Sequence, residues 1–390
     1  MRWLSLFILF ASTSVLAETN VSGSVSSQIR YFDQAPQWPG QFSGRQASIA
    51  IEPEIRTTIA EGRFTFIPFY RHDEHDDERS HFDIRELHWQ TQADDWDILI
   101  GINSVFWGVT ESRHLVDIIN QTDFVENIDG EDKLGQPMLQ LSWLQDWGEV
   151  NFFILPGFRE RTFPGIEGRL RTPLPVDTDN PQYESGAEEQ HIDMAVRYTH
   201  VIEDWDIGVY YFYGTSREPR LVPDNSNTVL LPYYDLINQI GLDLQYTHEA
   251  WLWKLEAIGR EGQGKTFAAM VAGLEYTMYQ FAKSNADLGL LFEYLYDDRD
   301  ASAAPIFTDD DIFVGLRYAL NDVDDTSMIT GMIVDRHTNE KLISLEAETR
   351  LSEHWTLDIE GRWFVDIETT TSLNSFKQDD YIQIELAYHF

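Results

Sequence analysis

A period-two alternation of apolar and polar residues constrains this chain more than any other feature. In the last twelve residues, DDYIQIELAYHF, Ile382, Ile384, Leu386, Tyr388 and Phe390 fall on one side, and the residues between them fall on the other. Similar segments of about ten residues recur along the chain, and we count about eighteen of them, with about sixteen as the alternative. The segments are residues 21–32, 47–58, 63–71, 82–90, 96–105, 138–144, 150–161, 192–200, 206–214, 240–248, 251–259, 268–279, 287–296, 312–320, 328–335, 342–351, 355–364 and 379–390. The pattern predicts an all-β protein.

The polar faces of these segments separate two candidate folds, a soluble β-sandwich and a membrane β-barrel. A sandwich fills the space between its sheets with large apolar residues. The polar faces here instead carry charges of both signs in mid-strand, as the water-filled lumen of a membrane barrel does. The predicted fold is therefore a transmembrane antiparallel β-barrel of about 18 strands, with short periplasmic turns and long extracellular loops. Its predicted pore-lining residues are Arg30, Glu52, Glu54, Arg56, Arg71, Arg85, Arg159, Arg197, Lys254, Glu256, Glu275, Glu293, Arg317, Glu346, Glu348, Glu360 and Arg362.

Aromatic content and charge agree with a membrane barrel. Aromatic residues make up 13% of the chain, and its formal net charge is -38. Such an acidic chain needs a surface that accepts aromatic side chains, as a bilayer interface does. Trp96, Trp147, Trp205, Trp251 and Trp355 lie at predicted short turns, where an aromatic girdle is expected. The negative charge argues against nucleic acid as a partner, and the absence of cysteine excludes disulfides and thiolate metal sites.

The two ends of the chain indicate export and insertion into a membrane. Residues 1–17, MRWLSLFILFASTSVLA, combine a basic start, an apolar centre and a small-residue exit, which predicts a cleaved signal peptide. Residues 18–390 are then expected to form a single barrel domain. A strand that runs to the last residue suits a barrel, because the last strand pairs with the first. The expected location is the outer membrane of a Gram-negative bacterium, in contact with lipids and lipopolysaccharide.

The longest stretch without alternation, residues 106–136, is expected to carry function, because loops of this length are usually functional or disordered. It contains a predicted helical turn at residues 114–121, HLVDIINQ, and several apolar residues that require burial. We expect this loop to fold inward and narrow the pore, and the alternative is an external cap over the barrel mouth. The predicted constriction residues are Glu111, Asp117, Asn120, Asp123, Asp129 and Glu131. The acids among them are expected to face the arginines of the early strands.

Two local features resemble known membrane barrels. The G-x-x-x-V-x-W-G strand end at 101–108 and the D-x-x-N-x-x-D turn at 117–123 are similar to a poorly characterised family of proteobacterial outer-membrane barrels. They are similar, more loosely, to eighteen-stranded barrels of the alginate-export type. The terminal Phe390 resembles the C-terminal signal by which Gram-negative outer-membrane barrels are recognised. This resemblance implies the barrel-assembly machinery as a partner.

Other chemistry has weaker support in the sequence. The segment RHDEHDDERSH, residues 71–81, offers carboxylate and imidazole groups that suit calcium or zinc. Its spacing matches no calcium-loop pattern, so a solvated extracellular loop tip is the preferred interpretation. The chain contains no G-x-S-x-G elbow and no H-E-x-x-H motif. We therefore expect no catalytic residue, no metal site and no cofactor.

These observations predict a porin-like channel for passive diffusion of small hydrophilic solutes. Arginines come mainly from the early strands and glutamates from the later ones, so the lumen is expected to be electrically two-sided. The alternative is a dedicated exporter or surface-attachment barrel for an acidic polysaccharide, and a barrel enzyme is a weaker third hypothesis. The pattern is compatible with a monomer and with a trimer.

Overall fold

The computed structural model describes residues 19–390, and the predicted signal peptide lies outside the described residues. The strands are β1 (Asn20–Phe32), β2 (Arg45–Ile59), β3 (Gly62–Asp73), β4 (Phe82–Ala93), β5 (Trp96–Asn103), β6 (Gln136–Gln145), β7 (Gly148–Pro156), β8 (Gln182–Tyr183), β9 (Ile192–Ile202), β10 (Trp205–Thr215), β11 (Arg220–Pro223), β12 (Leu230–Tyr234), β13 (Leu236–His248), β14 (Trp251–Glu261), β15 (Phe267–Met278), β16 (Asp287–Asp297), β17 (Asp310–Ala319), β18 (Ser327–Asp335), β19 (Lys341–Ser352), β20 (Trp355–Val365) and β21 (Tyr381–His389). Short 3-10 helices at Glu188–Gln190, Phe281–Lys283 and Ser372–Phe376 lie in the connections. Among residues 19–390, no helix has both the length and the apolar character needed to cross a membrane.

Eighteen of these strands form one closed sheet in which every neighbouring pair is antiparallel, so the predicted barrel and its strand number are confirmed. The ring closes where β21 pairs with β1, with Ile384 opposite Ile29. Phe390 extends this pairing, because its backbone N–H and C=O bond to Gly23. The remaining strands, β8, β11 and β12, form a separate three-stranded sheet in the connections. Closure leaves the barrel wall without a free edge.

Burial along the barrel strands is inverted relative to a soluble protein. In β1, Gln28 and Arg30 are buried, whereas the intervening Ile29 and Tyr31 are exposed. The final strand repeats the pattern, and its apolar face from Ile382 to Phe390 is exposed as the sequence predicts. An exposed apolar belt around a polar interior is the arrangement that hydrocarbon requires. The fold is therefore a transmembrane all-β barrel.

The two ends of the barrel differ in the length of their connections. At the end that carries both termini, six of the eight turns have two residues, for example 60–61, 203–204 and 249–250. We call this the short-turn end, which in outer-membrane barrels faces the periplasm. The predicted girdle tryptophans lie at this end and are exposed: Trp96, Trp205, Trp251 and Trp355 begin strands, and Trp147 lies in the turn before β7. The opposite, long-loop end carries the longest connections, which include residues 104–135 and 157–191.

Proline explains the irregular pairing of the early strands and one strand boundary that was predicted wrongly. Pairing between β2 and β3 is interrupted around Pro53, and the register of β3 against β4 shifts at Pro68. β7 ends at Pro156, so the predicted strand 150–161 is too long. Proline has no N–H to give to a ladder, so strands end or bulge at it. Arg159, which the sequence placed on a strand, lies instead in the connection after β7.

Resistance to detergent follows from the closed wall. Because every backbone group of the barrel can bond to a neighbouring strand, the folded protein should resist SDS at room temperature and migrate differently after boiling. The measurement is an electrophoretic comparison of heated and unheated samples. A far-UV circular dichroism spectrum dominated by helix would contradict the fold.

Phe390 should be needed for assembly, because its backbone closes the ring against Gly23 and its ring is exposed on the apolar face. Replacing it by aspartate should lower the amount of barrel assembled in the outer membrane and leave export unchanged. Phe281→Asp is the matched control, since Phe281 is also exposed (39%, against 45% for Phe390) but lies in a turn. Equal membrane levels of the two variants would refute the role of the last residue.

Candidate functional site

The connection of residues 104–135, which we call the inner loop, packs against the inward-facing side chains of the barrel. Its residues Val116 and Ile119 are fully buried in one apolar cluster with Tyr210 and Ile237 of the wall. The ring of Trp107 joins the cluster, 5.0 Å from that of Tyr210. The helical turn predicted at residues 114–121 does not form. The apolar side chains of this segment are removed from water by packing against the wall, without a helix.

The first half of the inner loop is anchored to β14 by a buried carboxylate. Glu256 is completely buried and accepts the backbone N–H groups of Val109 (2.7 Å), Thr110 (3.0 Å) and Val116 (3.2 Å). A buried carboxylate is costly unless hydrogen bonds compensate for its lost hydration. The inner loop supplies those bonds, so Glu256 and the loop hold each other in place.

A second buried carboxylate, on β16, anchors the same half of the loop two strands beyond β14. Glu293 of β16 accepts the backbone N–H groups of Glu111 and Ser112, both at 2.8 Å. Next to it, Arg113 lies 3.1 Å from Asp297. Both anchors use backbone donors that carry no sequence signature, so neither is visible in the pattern of residues.

The second half of the inner loop is anchored on the opposite side of the barrel. Glu126 accepts hydrogen bonds from Arg71 of β3 at 2.9 and 2.8 Å, and the carbonyl group of Glu126 lies 3.3 Å from Arg30 of β1. Asp123 lies 2.7 Å from Arg85 of β4. In the closed ring β1 is the first strand and β14 the eleventh, so the two halves of the loop contact facing walls.

The last anchor of this half is on β20, where Arg362 contacts Asp129 at 2.9 Å. Asn127 donates to the carboxylate of Glu360, a second residue of β20. Arg362 also contacts Glu346 of β19 at 2.6 Å. With a contact between Glu111 and Arg317, the inner loop makes polar contacts with the wall at β1, β3, β4, β14, β16, β17 and β20.

Contacts between the two halves make the inner loop one unit. Asp117 pairs with Lys133 at 3.0 Å, and His114 lies 2.9 Å from Glu131. Burial lowers the pKa of His114, but its contacts with Glu131 and Glu256 outweigh burial and raise that pKa to about 10. His114 is thus an imidazolium at neutral pH. The predicted constriction residue Asn120 also joins the halves, because its amide donates to the carbonyl groups of Asn103 and Leu134.

The expected arrangement of acids facing early-strand arginines is largely wrong. Of the five predicted loop acids, only Asp123 contacts a basic side chain of the early strands. Glu111 contacts Arg317 of β17 at 2.5 Å, and the other three pair with Arg362, Lys133 and His114. Most wall charges near the loop are therefore neutralised locally, which removes the strong two-sided field that the sequence suggested.

The other predicted pore-lining residues divide by burial. The buried ones include Arg197, which pairs with Asp243 at 2.8 Å. Arg159 pairs with Asp83 at 2.6 Å from outside the strands. The buried members are Arg30, Arg71, Arg197, Glu256, Glu275, Glu293, Glu360 and Arg362, and the partly or fully exposed members on strands are Glu52, Glu54, Arg56, Arg85, Lys254, Arg317, Glu346 and Glu348. The exposed members are the ones that can act on a passing solute.

The acidic segment 71–81 is only partly the solvated loop tip that the sequence favoured, because Glu74, Asp77 and Glu78 are exposed but Asp73 and Asp76 are buried. Asp73 is buried and pairs with Arg79 at 2.8 Å. Asp76 accepts the backbone N–H of Gly165 at 3.0 Å, and burial raises its pKa to about 6. The segment packs under the connection after β7 because its charges find partners there, which adjacent sequence does not reveal.

Within residues 19–390, two groups of carboxylate and imidazole side chains have spacings compatible with a cation. One joins His81, Asp123 and Glu126, but these carboxylates already contact Arg85 and Arg71. A cation would have to displace those guanidinium groups, so the residues fit an ion-pair network better than a metal site. The other group, residues 309, 311 and 335, lies at the long-loop end of β17 and β18 and holds three carboxylates within reach of one another.

A cavity of about 630 Å³ lies between the inner loop, the later strands and the long-loop connections. Sequence reasoning missed six of the arginines that line this cavity. They are Arg113, Arg161, Arg171, Arg217, Arg260 and Arg299. Arg260 lies four residues after Glu256 on β14, so its side chain points to the same inward face, and the alternation could have identified it. The other five lie in connections, where no periodicity exists to mark them.

Charged side chains with large exposure border this cavity beside β17–β20. Side chains of Glu131 and Glu346 are 53% and 51% exposed, and that of Arg317 is 41% exposed. The first two line the cavity, together with Glu111 and Arg362. We call this border the gap. It is the place where the inner loop approaches the wall while charged groups stay in contact with water.

Comparison with known proteins gives a fold but no sequence relative. No protein-family model matches the chain, and no curated protein matches it in sequence. Among solved structures, a BenF-like porin from Pseudomonas fluorescens matches at TM-score 0.55 and 10% identity, over 96% of this chain and 98% of that one. OccK3 (OpdO) of Pseudomonas aeruginosa matches at TM-score 0.54 and 8% identity, over 95% and 96%.

A third similar structure is Wzi of Escherichia coli, described as a carbohydrate-binding β-barrel involved in group 1 capsule assembly. It matches at TM-score 0.55 and 9% identity, over 96% of this chain and 84% of that one. None of the three is described as an enzyme. This chain therefore has the fold of outer-membrane porins and related barrels, a closed eighteen-stranded antiparallel transmembrane β-barrel.

Proposed function

We propose that the protein is a porin-like outer-membrane channel through which small hydrophilic solutes diffuse passively. The observation that carries this proposal is the inner loop, which is anchored to facing walls and leaves the gap beside β17–β20. Solutes entering from the long-loop end pass the cavity, then the gap, and then the lumen of the short-turn end. Selectivity in such a passage comes from its width and from the charges that remain exposed in it.

The expected surroundings follow from this role. The chain is exported with residues 1–17 removed, and Phe390 is read by the barrel-assembly machinery. Lipids and lipopolysaccharide cover the apolar belt. No cofactor is needed, because diffusion down a gradient involves no chemical step.

The alternative is an exporter or attachment barrel for an acidic polysaccharide. The fold similarity to Wzi and the arginines of the cavity favour this alternative. The anchored inner loop favours the channel, since a polymer needs a wide continuous track and the loop crosses the lumen. Recordings in planar bilayers separate the two functions, because a channel conducts steadily and a dedicated exporter stays mostly closed.

Deleting residues 112–132 should raise single-channel conductance, by about twofold or more, because the inner loop occupies the cross-section of the lumen. The measurement is single-channel current in a planar bilayer at fixed salt. Heat-dependent electrophoretic mobility checks that the deleted protein still folds. Unchanged conductance in a folded variant would show that the loop does not limit the current.

A full-length variant tests the same loop without a deletion. Glu256→Gln combined with Glu293→Gln removes the charges that hold five backbone N–H groups, and hydrogen bonds to a charged group contribute about 1.5–3 kcal/mol each. The loop should loosen, and the current should become larger and noisier. Glu261→Gln is the control, because Glu261 is exposed at the end of β14. Quiet currents at the parent level would contradict anchoring by these two residues.

Ion selectivity should depend on the exposed acids of the gap. Glu131→Gln combined with Glu346→Gln should shift the reversal potential in a salt gradient towards anion preference, because Arg317 and Arg362 remain. Glu249→Gln combined with Glu353→Gln, which removes two exposed acids in short turns, is the control for net charge. If both variants shift the potential equally, the gap does not set the selectivity.

A further inference from the structure

The cavity above the inner loop holds more guanidinium groups than carboxylates. Arg260 and Arg299 contact Glu218 at 2.5 and 3.1 Å, and Arg113 lies 3.8 Å from it. Arg113 and Arg299 share Asp297 as well, at 3.1 and 2.8 Å. Three arginines thus share two carboxylates in one group, which leaves an excess of one positive charge.

Arg161 adds a second excess charge beside this group. It lines the same cavity, and no carboxylate of residues 19–390 lies within salt-bridge distance of it. Its side chain makes only a 3.4 Å contact with the amide oxygen of Gln121 and lies over the ring of Phe124 at 5.9 Å. A neutral amide and an aromatic face leave the guanidinium charge uncompensated. The guanidinium group of Arg161 is therefore available to a carboxylate from outside the chain.

Glu218 indicates what kind of anion these arginines can hold. It lies in the short connection between β10 and β11, and its carboxylate is partly exposed to the cavity. Arginine donors converge on it in the way that planar guanidinium groups recognise a carboxylate. A solute carboxylate has the same shape and charge, so it can use the donors that Glu218 leaves free or compete with Glu218 for them.

One part of the cavity, around Phe307, has an apolar lining. Phe307 is exposed and stacks edge-on against Phe376, with ring centroids 5.4 Å apart, and Phe163 and Ile306 also border the space. Exposed aromatic rings in a cavity gain free energy when an apolar ligand covers them. The cavity volume of about 630 Å³ lies within the range of small-molecule sites, about 300–1,000 Å³.

We infer that this cavity is a binding site for organic carboxylates with an apolar body, held at the carboxylate by Arg161 and the arginines around Glu218 and at the body by the aromatic lining. The inference rests on the proposed channel only for its consequence, which is that such solutes are concentrated above the gap. The binding itself does not require conduction.

Calorimetric titration of the folded protein in detergent tests the inference, with phenylacetate as the probe. Phenylacetate should bind more tightly than 2-phenylethanol, which lacks the charge, and more tightly than acetate, which lacks the apolar body. Arg161→Gln should weaken phenylacetate binding about tenfold, which corresponds to the loss of about 1.4 kcal/mol. Glu218→Gln should strengthen it several-fold, because the internal competitor loses its charge.

Arg350→Gln is the matched control, since Arg350 is an exposed arginine near the short-turn end that pairs with Asp325. Its affinity for phenylacetate should equal that of the parent. Equal affinity in the parent and in Arg161→Gln would overturn the inference, and so would equal binding of phenylacetate and 2-phenylethanol. Tighter binding of an oligogalacturonate that phenylacetate cannot displace would also overturn it and would favour the polysaccharide alternative.

Conductance in potassium chloride without phenylacetate separates this inference from the proposed function. A protein that conducts steadily but does not bind phenylacetate leaves the channel standing and removes the binding site. A protein that binds phenylacetate but does not conduct supports the binding site and contradicts the proposed channel.

Discussion

Lack of water in the bilayer core is the constraint on which the rest of this structure depends. Each backbone N–H and C=O group within the hydrocarbon must find a partner inside the protein, and a closed ring of strands provides one for each. Closure has a second consequence, because side chains alternate along every strand. Once the outer face is apolar, the residues between must face inward, and the interior receives polar and charged groups such as Arg30, Arg71, Glu256 and Glu293. Those groups then need partners of their own.

The inner loop provides many of these partners. Its backbone N–H groups satisfy Glu256 and Glu293, and its acids satisfy Arg71, Arg85 and Arg362. The same loop brings apolar side chains such as Ile119 into a core inside the barrel. Charge pairing and apolar burial therefore act on the same segment, and they explain why a long connection has a single well-packed path. What remains exposed, at the gap and around Glu218, is the part of the interior that can interact with solutes.

The success and failure of sequence reasoning follow the range of the interactions involved. Strand positions were predicted well because period-two alternation is local. The predicted strand 150–161 was too long because the ladder ends at Pro156. Site residues were predicted less well. Alternation correctly turned Arg197 and Glu256 inward, but the partners of the loop acids were assigned by strand order, and Glu111 contacts Arg317 instead of an early arginine. Asp76 was read as solvated because its partner, Gly165, lies far along the chain.

The sequence by itself determined the fold class, the approximate strand number and the faces of the strands, since each depends on residues within a few positions of one another. Tertiary structure alone decided which inward charges are neutralised and which stay free. Val109 and Glu256 are 147 residues apart, and Arg71 and Glu126 are 55 apart, so nothing in their neighbourhoods links them. The three arginines around Glu218 come from three separate parts of the chain, and only the closed ring brings them together. Their electrostatic effect depends on distance in space and on exclusion of water, and neither is a property of sequence order.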